Sequence, residues 1–113
     1  MKWFHLALGG VAGTFARYLL AGFVYTLFGT RFPYGTLAVN MLGCLVIGFL
    51  GTVAEQKFLL TPEARLFWMV GLLGALTTFS TLIYESWRLI QDGELLLAGV
   101  NLLGSVVVGL LAL

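Results

Sequence analysis

The sequence predicts an all-α membrane protein with four transmembrane helices per subunit. Two observations carry this expectation. Of the 113 residues, 60% are hydrophobic and 10% are charged, whereas an ordinary soluble domain carries about a quarter charged residues. The charges are also clustered at a few points. Stretches 32–54, 66–84 and 95–113 contain no Asp, Glu, Lys, Arg or His, and only His5 and Arg17 interrupt the run between Lys2 and Arg31. A bilayer core takes about 20 apolar residues per helix, so four spans use nearly the whole length. The expectation is one integral-membrane domain over residues 1–113, with nothing left over for a soluble one.

Helix one is expected from about Trp3 to Leu27. It is too long for the apolar core of a signal peptide and lacks a small-residue cleavage pattern, so it reads as a retained span. Gly9-x-x-x-Gly13, with Ala12 and Ala16 beside it, makes a small-residue face that lets two backbones approach closely in lipid. Helix two is expected from about Gly35 to Ala54, with Gly43, Gly48 and Gly51 inside it. The longest polar connection runs from Glu55 to Arg65 and carries a helix-entry signal, Thr61-Pro62-Glu63, with Thr61 placed to cap and Pro62 at the first helical position. Helix three follows from Pro62 to Leu89. Helix four runs from about Gly93 to the end and carries Gly99, Gly104 and Gly109. With fifteen glycines, most of them within spans, the helices should form a compact bundle with little room for a large cavity.

The composition excludes several classes of function. Cys44 is the only cysteine, which removes an internal disulfide, a thiol pair and a cysteine-rich metal site. A net charge of +1 offers no basic patch, so no nucleic-acid partner is expected. No nucleophile, base and orienting group occur together, and His5 at a membrane edge is an interface residue, so the chain is not expected to be an enzyme.

Four crossings place both termini on one side. Lys2, Lys57 and Arg65 flank that side, and Arg31 and Arg88 flank the other, so the positive charges that set orientation are nearly balanced. A balanced chain can insert both ways and pair with its own inverted copy. The competing reading is one orientation fixed by helix hydrophobicity or by a partner protein. Charge counting leaves both open.

Polar groups in hydrocarbon are costly unless they face protein or water, which makes the buried ones the functional shortlist. They are Arg17 inside helix one, Asn40 in helix two, Thr77 to Thr81 in helix three, Glu85 near its end, and Asn101 and Ser105 at i and i+4 on one face of helix four. These are mostly hydrogen-bond donors and hydroxyls, with one permanent cation and no acid at mid-membrane. That set suits an anion path better than a proton-coupled cation exporter, which needs a central carboxylate. Arg17 reads equally as an anion contact or as a structural arginine bonded to carbonyls. Asn40 reads as an anion donor or as an interhelical hydrogen bond. Gly74 and the pair Thr77-Thr78 let helix three break locally, because glycine is permissive and hydroxyls can satisfy freed backbone groups. Exposed carbonyls at such a break bind a cation. Phe79 and Leu82 lie three apart and are expected on one face, and the positive edge of an aromatic ring suits a dehydrated anion.

The chain resembles the Fluc (CrcB-type) fluoride channel family over essentially its whole length. The resemblance rests on Gly9-Gly10-x-x-Gly13-x-x-x-Arg17-Tyr18, on Pro33-x-Gly35-Thr36-Leu37-x-x-Asn40, and on Gly71-x-x-Gly74-x-Leu76-Thr77-Thr78-Phe79-Ser80-Thr81. It implies a third helix broken near the midplane and an antiparallel, dual-topology dimer in the cell inner (plasma) membrane. It further implies a passive fluoride-selective channel with two pores, exporting cytoplasmic fluoride down its gradient. Asn40, Phe79, Ser80, Thr81, Leu82, Asn101 and Ser105 would line the fluoride pathway. Arg17 and Glu85 would stand at a vestibule or gate. Carbonyls of Gly74 and Thr77 would hold a structural Na⁺ at the centre of the dimer, four oxygens coming from two subunits.

The sequence departs from the family pattern in three places. Leu82 and Ile83 stand where the family usually has a second phenylalanine and a serine, and Ala75 replaces a frequent glycine. The alternative to a self-sufficient homodimer is therefore a non-conducting or partner-dependent subunit of a heterodimeric fluoride channel. A small cation or drug exporter is disfavoured by the missing mid-helix acid.

Overall fold

The computed structural model describes residues 1–54 and 61–113. Glu55 and Lys57, named above in the polar connection and the charge balance, lie outside the described residues. The described part is all helical. Four apolar segments are long enough to cross a membrane: Lys2–Phe28, Tyr34–Thr52, Pro62–Gln91 and Leu95–Ala112. The chain is thus a multi-pass membrane protein. Its longest dimension, 47 Å, is close to the roughly 40–45 Å of a bilayer with its headgroups. Large side chains such as Phe15, Leu19, Leu103 and Leu111 point outward, as lipid-facing residues do.

The first segment is one unbroken helix, α1 (Lys2–Phe28), closed by Gly29 at φ 83° with its N–H on the Tyr25 carbonyl. The second is α2 (Tyr34–Thr52). The third is composite. It comprises α3 (Pro62–Arg65), a π-helical stretch (Leu66–Leu72), α4 (Leu73–Leu76) and α5 (Phe79–Gln91). Thr61 caps α3 as its sequence signal predicts, its hydroxyl accepting from the Ala64 N–H at 3.1 Å with Pro62 following. Between α4 and α5, near the middle of the segment, Thr77 (φ −89°, ψ 157°) and Thr78 (φ −152°, ψ 126°) are extended. The last segment is α6 (Leu95–Ala112). It starts two residues later than expected because Gly93, at φ 80°, is spent on the turn.

Val39, Leu73 and Leu76 form the centre of the bundle, with Leu20, Ala21, Val46 and Leu50 packed around them. The predicted small-residue face of α1 lies against the third segment. A Cβ on Gly9 would overlap the Phe67 carbonyl oxygen, and one on Gly13 would overlap that of Leu72. The two backbones therefore touch where side chains would normally intervene.

Gly13→Leu should force α1 off the third segment and lower the thermal midpoint of the detergent-solubilised protein, overpacking costing about 1–3 kcal/mol or more. Gly22, on the same helix, has open space around it. Gly22→Leu should leave the midpoint unchanged in the same thermal-shift measurement.

Candidate functional site

The extended residues Thr77 and Thr78 are held from α2. The Asn40 side chain meets the Thr78 backbone twice: the Thr78 N–H donates to Oδ1 at 2.8 Å, and Nδ2 donates to the Thr78 carbonyl at 3.1 Å. Gly43, three residues on and on the same face of α2, touches the Thr77 side chain so closely that an added Cβ would overlap Thr77 Cγ2. Thr78 in turn opens α5, its Oγ1 accepting from the Thr81 N–H at 3.3 Å and donating to Thr81 Oγ1 at 3.1 Å. This is the usual N-cap chemistry of threonine.

These side-chain bonds redirect two backbone donors. In a continuous helix the N–H of Thr78 would serve the Gly74 carbonyl, and that of Thr81 the Thr77 carbonyl. Both donors go to side chains instead, so the Gly74 and Thr77 carbonyls lose their helical partners. A hard cation binds carbonyl oxygens of this kind. Among the described residues there is no group of three or more His, Cys, Asp or Glu that could hold a metal ion.

A groove of about 370 Å³ opens beside the interruption. It brings together Asn40, Gly74, Thr77, Thr78, Phe79, Leu82 and Ser105, and none of its lining residues among those described is Asp, Glu, Lys, Arg or His. Asn40 keeps a second N–H beyond the one given to Thr78. Phe79 is 75% exposed, with its ring projecting out of the bundle, whereas Leu82 is 7% exposed and packs inward. The two do not present a common exposed face. Ser105 Oγ is buried with no hydrogen-bond partner.

The other candidates fall elsewhere. Ser80 is exposed and Thr81 is tied to Thr78, and neither lines the groove. Asn101, 1% exposed, donates from Nδ2 to Ser86 Oγ at 2.9 Å, and Ser86 donates to the Leu82 carbonyl at 2.8 Å. Its Oδ1 has no partner. Arg17 is half-buried partway along α1 and lines neither this groove nor the cleft around Glu85. Glu85 accepts hydrogen bonds from Tyr25 Oη at 3.1 Å and from Thr36 Oγ1, tying α5 to α1 and α2. It opens onto a polar cleft of about 430 Å³ that also includes Arg31, Arg88 and Asp92.

A family model described as CrcB-like protein, Camphor Resistance (CrcB), matches residues 4–113. The chain belongs to the CrcB-like family. Relatives in this family include a protein from Citrifermentans bemidjiense named fluoride-specific ion channel FluC, 50% identical over 103 residues that cover 91% of this chain and 83% of the relative. A Geobacter metallireducens protein of the same name matches with the same identity and coverage. One from Maridesulfovibrio salexigens is 42% identical over 108 residues, covering 96% of this chain and 86% of its own. The names denote an ion channel and not an enzyme.

Within this CrcB-like chain, the site also depends on residues outside the predicted set: Tyr25, Thr36, Ser86 and Gly43. The sequence marks Thr78 with Thr77 at the expected break, but its pairing with Asn40, 38 residues away, carried no local signal. Tyr25, 60 residues from its partner Glu85, carried no local signal.

Asn40→Leu should strand the Thr78 N–H and carbonyl, each costing about 1–3 kcal/mol when buried without a partner. Hydrogen exchange at the Thr78 amide should accelerate by at least tenfold, while α6 amides keep their protection. An unchanged Thr78 rate would show that Asn40 does not hold the interruption.

Proposed function

We propose that the chain is a subunit of a passive fluoride-selective channel that releases cytoplasmic fluoride down its electrochemical gradient across the plasma (inner) membrane. The observation carrying this reading is the groove at Asn40. Asn40, which keeps a spare amide N–H, Ser105 and the exposed Phe79 line it together, and none of its described lining residues is Asp, Glu, Lys, Arg or His. The names carried by the relatives point the same way.

An amide N–H, a hydroxyl and a ring edge each present partial positive charge, which replaces water around a small, strongly hydrated anion. The absence of a fixed cation in the groove matters as much. Conduction needs an ion to be bound well enough to enter and weakly enough to leave. An exporter alternating between proton and cation would need an acid in this place, and none of the described residues lining it is one.

The reading is completed by a second, inverted copy. Phe79 projects from its own subunit, Gly74 is exposed, and both line the groove together with Thr77. Two subunits related by a two-fold axis would form two pores and contribute four carbonyls from Gly74 and Thr77. These residues fit Na⁺, a hard cation suited to neutral oxygen donors. When bound, the ion supplies positive charge that holds the two interrupted helices together. Thr77 presents the oxygen, Asn40 keeps the Thr78 donor away from it, and Gly43 sets the distance between them.

Leu82 favours a second reading, because it stands buried where another ring edge is expected. In that reading the chain needs a non-identical partner to supply the second ring.

Liposomes containing only this chain should release fluoride rapidly and chloride far more slowly. Asn40→Asp, which replaces the donor with a negative charge, should abolish release, and Phe79→Ile should slow it by at least tenfold. No release from folded dimers would reject the homomeric channel in favour of the heterodimer. Replacing Na⁺ with N-methylglucamine should lower the thermal midpoint of the dimer, and an unchanged midpoint would remove the ion from the proposal.

A further inference from the structure

A second, larger hollow lies apart from Asn40. A groove of about 760 Å³ runs between the end of α1, the start of α2 and one face of α6. Its mouth carries two opposite charges, Arg31 and Glu94. Its walls are apolar, with Phe28, Leu97, Val100 and Val108 among them.

The mouth is built at headgroup level. Phe28, Phe32 and Tyr34 cluster beneath Arg31, with ring centroids 5.5 and 5.0 Å apart for Phe28–Tyr34 and Phe32–Tyr34. Aromatic clusters of this kind mark the membrane–water boundary. The connection bearing Arg31 is fixed by the Gly29 N–H on the Tyr25 carbonyl at 2.8 Å and the Tyr34 N–H on that of Phe32 at 2.7 Å. Glu94 is fixed by its N–H on the Leu89 carbonyl at 2.8 Å and by its own carbonyl, which accepts from the Ala98 N–H at 3.0 Å. From Leu97 to Val108 the groove descends about 16 Å along α6 at 1.5 Å per residue. That is roughly half of a 30 Å hydrocarbon core, the depth of one leaflet. Its hollow comes from Gly104, where an added Cβ would meet only Val100 Cγ1 at 4.0 Å.

We propose that this groove binds one acyl chain of a phospholipid whose phosphate meets Arg31 and whose primary ammonium meets Glu94. The headgroup chemistry is that of phosphatidylethanolamine. A planar guanidinium pairs with phosphate through two parallel hydrogen bonds. A carboxylate beside it selects a headgroup that also carries a cation and disfavours one whose net charge is negative. The groove opens directly to the bilayer, so an acyl chain reaches it without crossing polar surface. This inference stands apart from the channel reading, since lipid binding is measured without ion flux.

The test is native mass spectrometry of the delipidated, full-length protein in detergent, with phosphatidylethanolamine or phosphatidylglycerol added. One phosphatidylethanolamine should bind per subunit, at least threefold better than phosphatidylglycerol. Gly104→Leu, which fills the hollow, should lower its occupancy about tenfold, and Val108→Trp, which fills the same groove lower down, should do likewise if the first variant fails to fold. Arg31→Gln should weaken both lipids, and Glu94→Gln should erase the preference between them. Unchanged occupancy in the filled variants, or equal binding of the two lipids by the unaltered chain, would overturn the proposal. Efficient disulfide formation between two copies of Val108→Cys would also overturn it, assigning the groove to a second copy.

Discussion

Asn40 and the backbone of Thr78 form the contact on which the site depends. Inside a membrane there is no water to satisfy a backbone group that leaves its helix, and each stranded group costs several kcal/mol. The third segment nevertheless leaves helical geometry for two residues at Thr77 and Thr78. An asparagine can match both a backbone donor and a backbone acceptor, and Asn40 does so. With Thr78 committed to Asn40 and Thr81 to Thr78, the Gly74 and Thr77 carbonyls are released. The Asn40 amide orientation is set by the same contact, because Oδ1 must face the Thr78 N–H. The remaining Nδ2 proton is then left for the groove. One side chain therefore holds the interruption open and offers a donor at its edge.

That contact requires α2 to lie unusually close to the interruption, and glycine makes the approach possible. Gly43 sits almost one turn after Asn40 and leaves no room for a Cβ against Thr77. Gly9 and Gly13 do the same between α1 and the residues just before α4. The hydrophobic effect does not drive helices together in lipid, so packing and polar contacts must do so. Small residues bring backbones close enough for both.

The polar interior is divided between structure and site. Glu85 is satisfied by Tyr25 and Thr36 and ties three helices together at the charged cleft. Asn101 secures α6 to α5 through Ser86. The groove at Asn40 is different, being lined among the described residues by no Asp, Glu, Lys, Arg or His and including Ser105, whose buried hydroxyl has no partner.

Much of the fold was written in local sequence. Composition and charge spacing determine four apolar segments, because helix length is matched to bilayer thickness. Thr61-Pro62 predicts the start of the third segment, and the Gly9–Gly13 spacing predicts a close helix contact, since both are features of one helix read alone. Asn40, Phe79, Gly74 and Thr77 were identifiable as unusual residues and by family motif. What the sequence could not decide was which of them meet. Tertiary structure alone pairs Asn40 with Thr78 across 38 residues, turns Leu82 inward while leaving Phe79 outside, and draws Asn101 to Ser86. The physical reason is that hydrogen bonds and burial depend on distances between helices. Those distances follow from how the glycine faces pack, and no single helix records them.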